Sequence, residues 1–244
     1  MLTARQKILL QAIINEFINS AQAVGSLNIS EKYDLDVSPA TIRNEMGRLT
    51  ELGLLDKQHA SAGRVPTSRA IKWFLSEVLD HYEELDAVIA AGVREELFQK
   101  RFNVDKLLTE AVGALSRLTL NTSVAVFGGR RYSAGLAQAL NNVHYHDIGR
   151  YRRVIEVLED YKRLAELFTR SSGSNVGDDI SVLVGEETGI DEFSESAVVF
   201  APIKLHGMET GFVSVVGPNR MNYAKVLPAM KYVVKNVQDV VAGW

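Results

Sequence analysis

A helix predicted between Ser38 and Leu52 carries polar side chains that could read a nucleic acid. Thr41, Asn44 and Arg48 recur at intervals of three and four residues, so they share one face of that helix. Arg and Asn can each form paired hydrogen bonds to a base edge, and a small Thr near the helix start fits a major groove. We therefore interpret this segment as a DNA recognition helix.

The same segment carries the signals that begin and end a helix. Ser38 is a favourable N-cap, Pro39 is tolerated in the first turn, and Gly53 can take the left-handed conformation that follows a helix. The apolar residues recur on the opposite face, which we expect to be buried: Ile42, Met46, Leu49 and Leu52.

Two helices are expected before it. Thr3 and Gln6 can form a capping box at the start of a helix that runs to about Ala21. Gly25 permits a turn, and Ser26 is expected to cap a short second helix. This order, with a capped third helix, is typical of a helix-turn-helix, whose last helix enters the groove.

The segment LLDKQHASAGRVP predicts two short strands around a turn at 61–63. A basic β-hairpin after a recognition helix is a wing that contacts phosphates or the minor groove. The alternative interpretation is that these charged residues are solvated side chains on a small helical domain. The candidate DNA-binding residues of the helix and the wing are Ser38, Thr41, Arg43, Asn44, Arg48, Lys57, His59, Ser61 and Arg64.

Composition and charge limit the class of protein. The net charge is -3, but residues 1–75 carry roughly +2 and the remainder roughly -5. The absence of cysteine excludes disulfides, thiol nucleophiles and cysteine-ligated metals. With no long apolar run and no signal-peptide pattern, we expect a cytoplasmic protein without a membrane segment.

Two separate blocks of sequence resemble one known family. VGS, SEKYDLDVSPATIRNEMGRLTELGLL and HASAGRVPTSR look like the N-terminal winged helix of the HrcA family of heat-inducible transcription repressors. VLVGEE and VFAPIKLHGMETGFVSVVGPNRMNY resemble its C-terminal part. The resemblance implies a homodimer on an inverted-repeat operator in double-stranded DNA upstream of chaperone genes. It also implies activity supported by a GroEL-type chaperonin.

A long helix from Thr67 to about Lys100 is predicted to follow the wing. Its apolar residues alternate in steps of four and three, the pattern of a coiled-coil seam. We interpret it as a dimer helix, and the alternative is a helix packed against its own domain. The seam residues are Ile71, Leu75, Val78, Tyr82, Leu85 and Ile89.

The rest of the chain predicts an α+β domain. We expect a helix opened by Asn103 or Asp105, a buried strand at 123–127, and a helix at about 150–170. Strands follow at 181–184, 197–204 and 211–216, the last two joined at His206 and Gly207, and a helix at 223–241 ends the chain. This part resembles the family's GAF-like domain, shortened between Leu118 and the strand SVAVF, where longer members carry an inserted dimerisation module.

The predicted fold class is therefore α+β, with a winged helix-turn-helix, a long linker helix and a GAF-like antiparallel sheet with helices. The expected domains are the DNA-binding domain at 1–69, the linker at 70–102 and the regulatory and dimerisation domain at 103–244.

Catalytic, metal and cofactor patterns are weak. GGRR at 128–131 lacks the Lys-Ser/Thr of a P-loop, and His144, His146 and Asp147 have no fourth ligand nearby. A solvated acidic rim is the expectation for Asp178, Asp179, Glu186 and Glu187. We expect a non-enzyme without metal or cofactor. Two further hypotheses stay open, a small-molecule sensor in the strands at 181–216 and a protein-interaction module that no longer binds DNA.

Overall fold

A computed structural model describes residues 2–57, 63–77, 84–137, 148–172, 179–205 and 210–241. The chain divides into two compact units, Met1–His81 and Tyr82–Trp244. Each unit has its own set of elements and its own buried core. Within the described ranges no helix is both long and apolar enough to cross a membrane.

The first unit is a winged helix. Its helices are α1 (Ala4–Ser20), α2 (Ser26–Lys32), α3 (Pro39–Glu51) and α4 (Ser68–Glu77). Its strands, β1 (Leu55–Asp56) and β2 (Val65–Pro66), pair antiparallel. The predicted capping box is present, since Thr3 Oγ1 accepts from the Gln6 N–H and the Gln6 side chain accepts from the Thr3 N–H.

The buried stripe of α1 forms the centre of this unit. Leu10, Ile13 and Ile14 are fully buried, as are Ile29 of α2 and Leu49 of α3. Burial of each such side chain contributes about 1.5–3 kcal/mol relative to exposure. The apolar spacing predicted for the helix-turn-helix is therefore the spacing that builds its core.

Two local predictions for this unit are wrong. The N-cap of α2 is Gly25, which offers no side-chain hydrogen bond, and Ser26 is the first helical residue. Leu52 is 47% exposed, because α3 ends at Glu51 and Leu52 is its C-cap. The buried face of α3 therefore stops at Leu49.

The predicted continuous helix from Thr67 to Lys100 is also wrong. α4 ends at Glu77, and a separate helix, α5 (Ala87–Gln99), begins in the second unit. Residues 84–86 are not helical, and the Asp86 carboxylate accepts the N–H groups of Val88 and Ile89 as an N-cap. A side chain that caps a new helix here competes with continuation of the old one.

The break divides the predicted dimer seam. Ile71 and Leu75 are buried in the core of the first unit, as the alternative interpretation of this helix expects. Leu85 is partly exposed and Ile89 is 48% exposed, while Val78 and Tyr82 lie outside the described residues. The role of these residues in a dimer stays a prediction.

The second unit is built on an antiparallel sheet of five strands, in the order β4-β3-β7-β6-β5. The strands are β3 (Thr122–Phe127), β4 (Arg130–Ala134), β5 (Ser181–Val184), β6 (Ser196–Lys204) and β7 (Thr210–Pro218). The helices are α5, α6 (Val104–Thr119), α7 (Ile148–Glu159), α8 (Tyr161–Ser171) and α9 (Tyr223–Val241). Two 3-10 turns follow β5, Gly185–Thr188 and Asp191–Phe193.

Helices cover both faces of this sheet. Val154, Leu164 and Phe168 from α7 and α8 pack into one cluster with Val124 and Phe200 from the strands. α6 and α9 pack on each other and against β3 and β6. The outcome is the predicted α+β fold, an antiparallel sheet with helices packed on it.

Most strand and helix predictions for this unit are confirmed, including Asn103 as the N-cap of α6 and the final helix at 223–241. One is wrong, because the helix expected at 150–170 is two helices separated at Asp160, whose carboxylate caps α8. Strand β4, which pairs with β3, was not predicted from the sequence. Gly128 and Gly129, with φ of 58° and 73°, form the tight turn between the two strands. His206 and Gly207 lie outside the described residues.

The connection between α6 and β3 is very short. α6 ends at Thr119, Leu120 takes a left-handed C-cap conformation with φ of 56°, and β3 begins at Thr122. Two residues therefore join the helix to the strand. The inserted dimerisation module that longer members carry here has no room in this connection.

Candidate nucleic-acid interface

The predicted recognition helix, α3, is held by its cap and its buried face. Ser38 Oγ accepts the Thr41 N–H at 3.2 Å, and Pro39 occupies the first turn. Ile42, Met46 and Leu49 are at most 4% exposed. Because this face is packed, the opposite face of α3 is directed to solvent.

The predicted reading side chains lie on that accessible surface. Arg43, Asn44 and Ser38 are exposed, and Thr41 is partly buried. The Thr41 hydroxyl lies 3.0 Å from the Ser38 hydroxyl, so both oxygens keep hydrogen-bonding capacity at the helix start. Arg48 has a side chain that is 65% exposed.

Arg48 is not an isolated cation. Its Nη1 donates to Glu45 Oε1 at 2.7 Å, and Glu45 Oε2 accepts from Gln6 Nε2 at 3.0 Å. Sequence reasoning missed Glu45 because an acid on a DNA-reading helix reads as a solvated residue. The spacing of three between Glu45 and Arg48 was the available signal.

The wing is joined to the helix-turn-helix by a third strand-like segment. Val24 and Arg64 exchange two backbone hydrogen bonds of 2.8 Å. A Cβ on Gly63 would lie 2.6 Å from the Val24 carbonyl oxygen, so glycine is required for this close approach. Lys57 is exposed at the start of the wing, whereas His59 and Ser61 lie outside the described residues.

Arg64 differs from its expected exposed position. It is partly buried, and its Nε donates to Thr50 Oγ1 at 3.2 Å. Thr50 in turn donates to the Met46 carbonyl. The guanidinium of Arg64 therefore connects the wing to α3.

Arg69 is a further cation near the end of α3 that sequence reasoning did not assign. Its Nη1 donates to the Leu52 carbonyl at 3.1 Å, and the residue is exposed. Thr67 Oγ1 donates to the Gly53 carbonyl at 2.9 Å and accepts the Ala70 N–H. A cation that satisfies the last carbonyls of a helix is favourable, but Arg69 is 17 residues from Leu52, so no local sequence pattern indicated this contact.

The GGRR segment of the second unit is bound to an acidic partner. Arg130 Nη1 donates to both carboxylate oxygens of Asp105 at 2.7 and 2.8 Å, and the Tyr132 hydroxyl donates to the same carboxylate. The hydrogen bond from Tyr132, followed by those from Arg130, lowers the pKa of Asp105. Burial and the Asp105 carboxylate raise the pKa of Tyr132 to about 12. This cluster is a surface ion pair.

The acidic and histidine candidates do not form a site in the described residues. Asp179 and Glu186 are exposed, and Glu187 Oε2 accepts the Val184 N–H at 2.9 Å, capping a 3-10 turn. Asp178, His144, His146 and Asp147 lie outside the described residues. Among the residues that are described, no group of three His, Asp or Glu side chains could hold a metal.

An apolar cluster occupies the sheet face on which a small-molecule sensor was considered. The ring centroids of Phe168 and Phe200 lie 4.9 Å apart, and that of Phe212 lies 5.6 Å from Phe168. These rings pack with Leu164 and Val198. A packed apolar core of this kind favours a scaffold over a ligand cavity.

Two family descriptions match the chain. Residues 1–79 match the winged helix-turn-helix transcription repressor, HrcA DNA-binding family. Residues 67–227 match the HrcA protein C terminal domain. The two matches together span residues 1–227, the whole of the first unit and most of the second.

Curated relatives are similar along nearly the whole chain. The heat-inducible transcription repressor HrcA of Pelotomaculum thermopropionicum is 25% identical over 337 residues, which cover 97% of this chain and 95% of the relative. The protein of the same name from Brevibacillus brevis is 23% identical over 342 residues, which cover 100% of this chain and 99% of the relative. Alignments of this length exceed the 244 residues of the chain, so these relatives contain segments that have no counterpart here.

The fold has a solved counterpart. The crystal structure of a hypothetical protein at 2.2 Å resolution superposes with a TM-score of 0.82 at 19% identity, covering 100% of this chain and 99% of that one. The winged helix, its exposed polar helix face and both family matches agree with the resemblance seen in the sequence. The chain belongs to the HrcA family of heat-inducible transcription repressors, is not an enzyme, and is a shortened member of that family.

Proposed function

We propose that this chain represses transcription as a homodimer that binds an inverted repeat in double-stranded DNA. The observation that carries the proposal is the accessible polar face of α3, with Asn44 and Arg48 exposed on a helix whose opposite side is buried. A helix held in this way can enter a major groove without losing its own packing. Its first turns then approach the base edges.

The side chains of this surface divide into two roles. Thr41, Asn44 and Arg48 are directed to bases, since amide and guanidinium groups read adenine and guanine by paired hydrogen bonds. Arg43 and Lys57, both exposed, neutralise phosphates, and this contribution does not depend on sequence. Arg64 contributes by fixing the wing to α3 through Thr50, and Arg69 adds positive charge at the end of the helix.

The homodimer needs a contact surface other than Ile71 and Leu75, which are buried. We place it on α5 and the turn that follows, where large apolar side chains are exposed. Val88 is 80% exposed and Phe102 is 77% exposed, while Ile89 and Phe98 are each 48% exposed. Large exposed apolar side chains grouped in this way are often covered by a partner, and a second copy of this chain would cover them symmetrically.

The regulated genes and the effect of heat are proposed by analogy with the family. The names of the relatives describe heat-inducible transcription repressors, and we propose that this chain likewise loses its operator on heating. Dissociation of the dimer would separate the two recognition helices and abolish their spacing on the half-sites. Chaperone genes as targets and a GroEL-type chaperonin as a partner belong to the same proposal.

Fluorescence anisotropy on two duplexes tests the DNA-binding proposal. The purified chain is titrated onto an inverted repeat from upstream of a chaperone operon and onto a scrambled duplex of equal length. We expect the inverted repeat to bind at least about a thousandfold tighter. Equal weak binding to both duplexes would refute sequence-specific repression.

Light scattering tests the dimer separately. At micromolar concentration we expect twice the monomer mass for the wild type and the monomer mass for Val88→Glu, because a charge placed in an apolar contact is costly. Lys106→Glu, an exposed change on α6, serves as the control and should remain dimeric. A monomeric wild-type chain would exclude the proposed homodimer.

A further inference from the structure

A chain of hydrogen bonds connects the start of α1 with the reading face of α3. Its first link lies within the capping box, where the Thr3 N–H donates to Gln6 Oε1 at 3.0 Å. Because that oxygen must accept, the orientation of the Gln6 amide is determined, and Nε2 is left to donate elsewhere. The Gln6 side chain therefore both completes the capping box and keeps a donor for a second contact.

The second link crosses from α1 to α3. Gln6 Nε2 donates to Glu45 Oε2 at 3.0 Å, and Gln6 and Glu45 are only 8% and 9% exposed. The two residues are 39 positions apart in the chain. A carboxylate that is this enclosed is a poor reader of bases, since it cannot reach a groove without leaving its partners.

The third link reaches Arg48. Its Nη1 donates to the other carboxylate oxygen, Glu45 Oε1, at 2.7 Å. The Glu45 side chain is 12% exposed while that of Arg48 is 65% exposed. Among the described residues the Arg48 guanidinium donates to no side chain other than Glu45, so the remainder of its donor fork faces solvent.

We infer that Glu45 is a positioning residue that directs Arg48 to its base, and that Gln6 holds Glu45 in place. This inference rests on the proposed reading of DNA by α3. A long cationic side chain loses rotational freedom when it binds a base, and an arginine that is already oriented loses less. The carboxylate also offsets the charge of Arg48, which weakens attraction to phosphates of any sequence.

Glu45→Gln tests this role with a readout that a purely structural residue would not change. The probes are a duplex recovered by the wild-type chain from a pool of randomised inverted repeats, and the scrambled version of that duplex. We expect the ratio of the two affinities to fall about fivefold or more, by the usual size of base discrimination. Affinity for the scrambled duplex should rise or stay constant, because a negative charge has been removed.

Glu51→Gln is the matched control, since Glu51 is exposed on the same helix and the charge change is identical. It should alter both affinities equally and leave their ratio unchanged. Gln6→Met, which removes the donor to Glu45 while keeping the length of the side chain, should lower the ratio in the same direction. This second variant tests the chain of hydrogen bonds from Gln6 to Arg48 without altering any residue of α3.

The background variant Arg48→Ala decides whether Glu45 acts through Arg48. In that background Glu45→Gln should produce no further loss of discrimination; a further loss would overturn the inference. An unchanged ratio in Glu45→Gln, or an equal loss in Glu51→Gln, would overturn it as well. A wild-type chain that does not discriminate between the duplexes would instead refute the proposed function, so the two failures are distinct.

Discussion

Replacing Arg48 and Lys57 separately distinguishes base reading from phosphate binding. Both residues are exposed cations of the first unit, so each change to alanine removes one positive charge. Their surroundings differ: Arg48 projects from α3 beside Glu45, whereas Lys57 follows β1 at the start of the wing. We expect Arg48→Ala to reduce discrimination between duplexes and Lys57→Ala to weaken binding to all of them.

The magnitudes follow from the two kinds of contact. A paired hydrogen bond from an arginine to a guanine contributes about 1–3 kcal/mol of discrimination, which corresponds to roughly a 5- to 150-fold loss at one base position. Loss of one phosphate contact lowers the slope of log affinity against log salt by about 0.9. Since Arg48 is assigned to a base and not to a phosphate, the salt slope of Arg48→Ala should stay near that of the wild type.

The assay is anisotropy on the inverted repeat and on single-base variants of it, at about 50 and 200 mM salt. Arg48→Lys is a further control, because it keeps the charge but loses the planar fork that reads a base. It should resemble Arg48→Ala in discrimination. The division of roles would be refuted if Arg48→Ala and Lys57→Ala changed both the discrimination between duplexes and the salt slope to the same extent.

Two further predictions concern stability. Gly63→Ala should destabilise the first unit by about 1–3 kcal/mol, because the added Cβ would meet the Val24 carbonyl. Gly47→Ala is the control, because a Cβ there meets nothing within 4 Å. In thermal melts this control should be neutral or stabilising. Burial raises the pKa of Tyr223, so its stabilising effect is complete below the unfolded pKa of about 10 and is lost as pH rises above it. Urea midpoints at about pH 9 and 11 should therefore fall more for the wild type than for Tyr223→Phe, and an equal fall in both would contradict this assignment.

Local signals located most helices and strands correctly. Thr3 with Gln6, Ser38 with Pro39, and Gly53 each act on their own turn, and the structure places each as expected. Helix caps and apolar periodicity depend on residues within one or two turns. For the same reason the winged helix could be predicted before any tertiary contact was known.

Predictions failed where two conformations were locally acceptable. The apolar periodicity of the segments around Asp86 and Asp160 continues through both residues, yet each carboxylate begins a new helix. A buried face continues across such a break when packing allows it, so periodicity alone cannot show the interruption. The choice depends on which neighbours cover the two halves.

The sequence by itself determined the family, the α+β fold class and the helix that carries Thr41, Asn44 and Arg48, because these follow from residue types at short spacing. Only the tertiary structure decided that Ile71 and Leu75 belong to a core and that Arg64 is anchored by Thr50. Only the tertiary structure shows that the Gln6 side chain donates a hydrogen bond to Glu45, 39 residues away. Such contacts depend on the packing of separate elements, and no local pattern of residues encodes which distant side chain will complete a hydrogen bond.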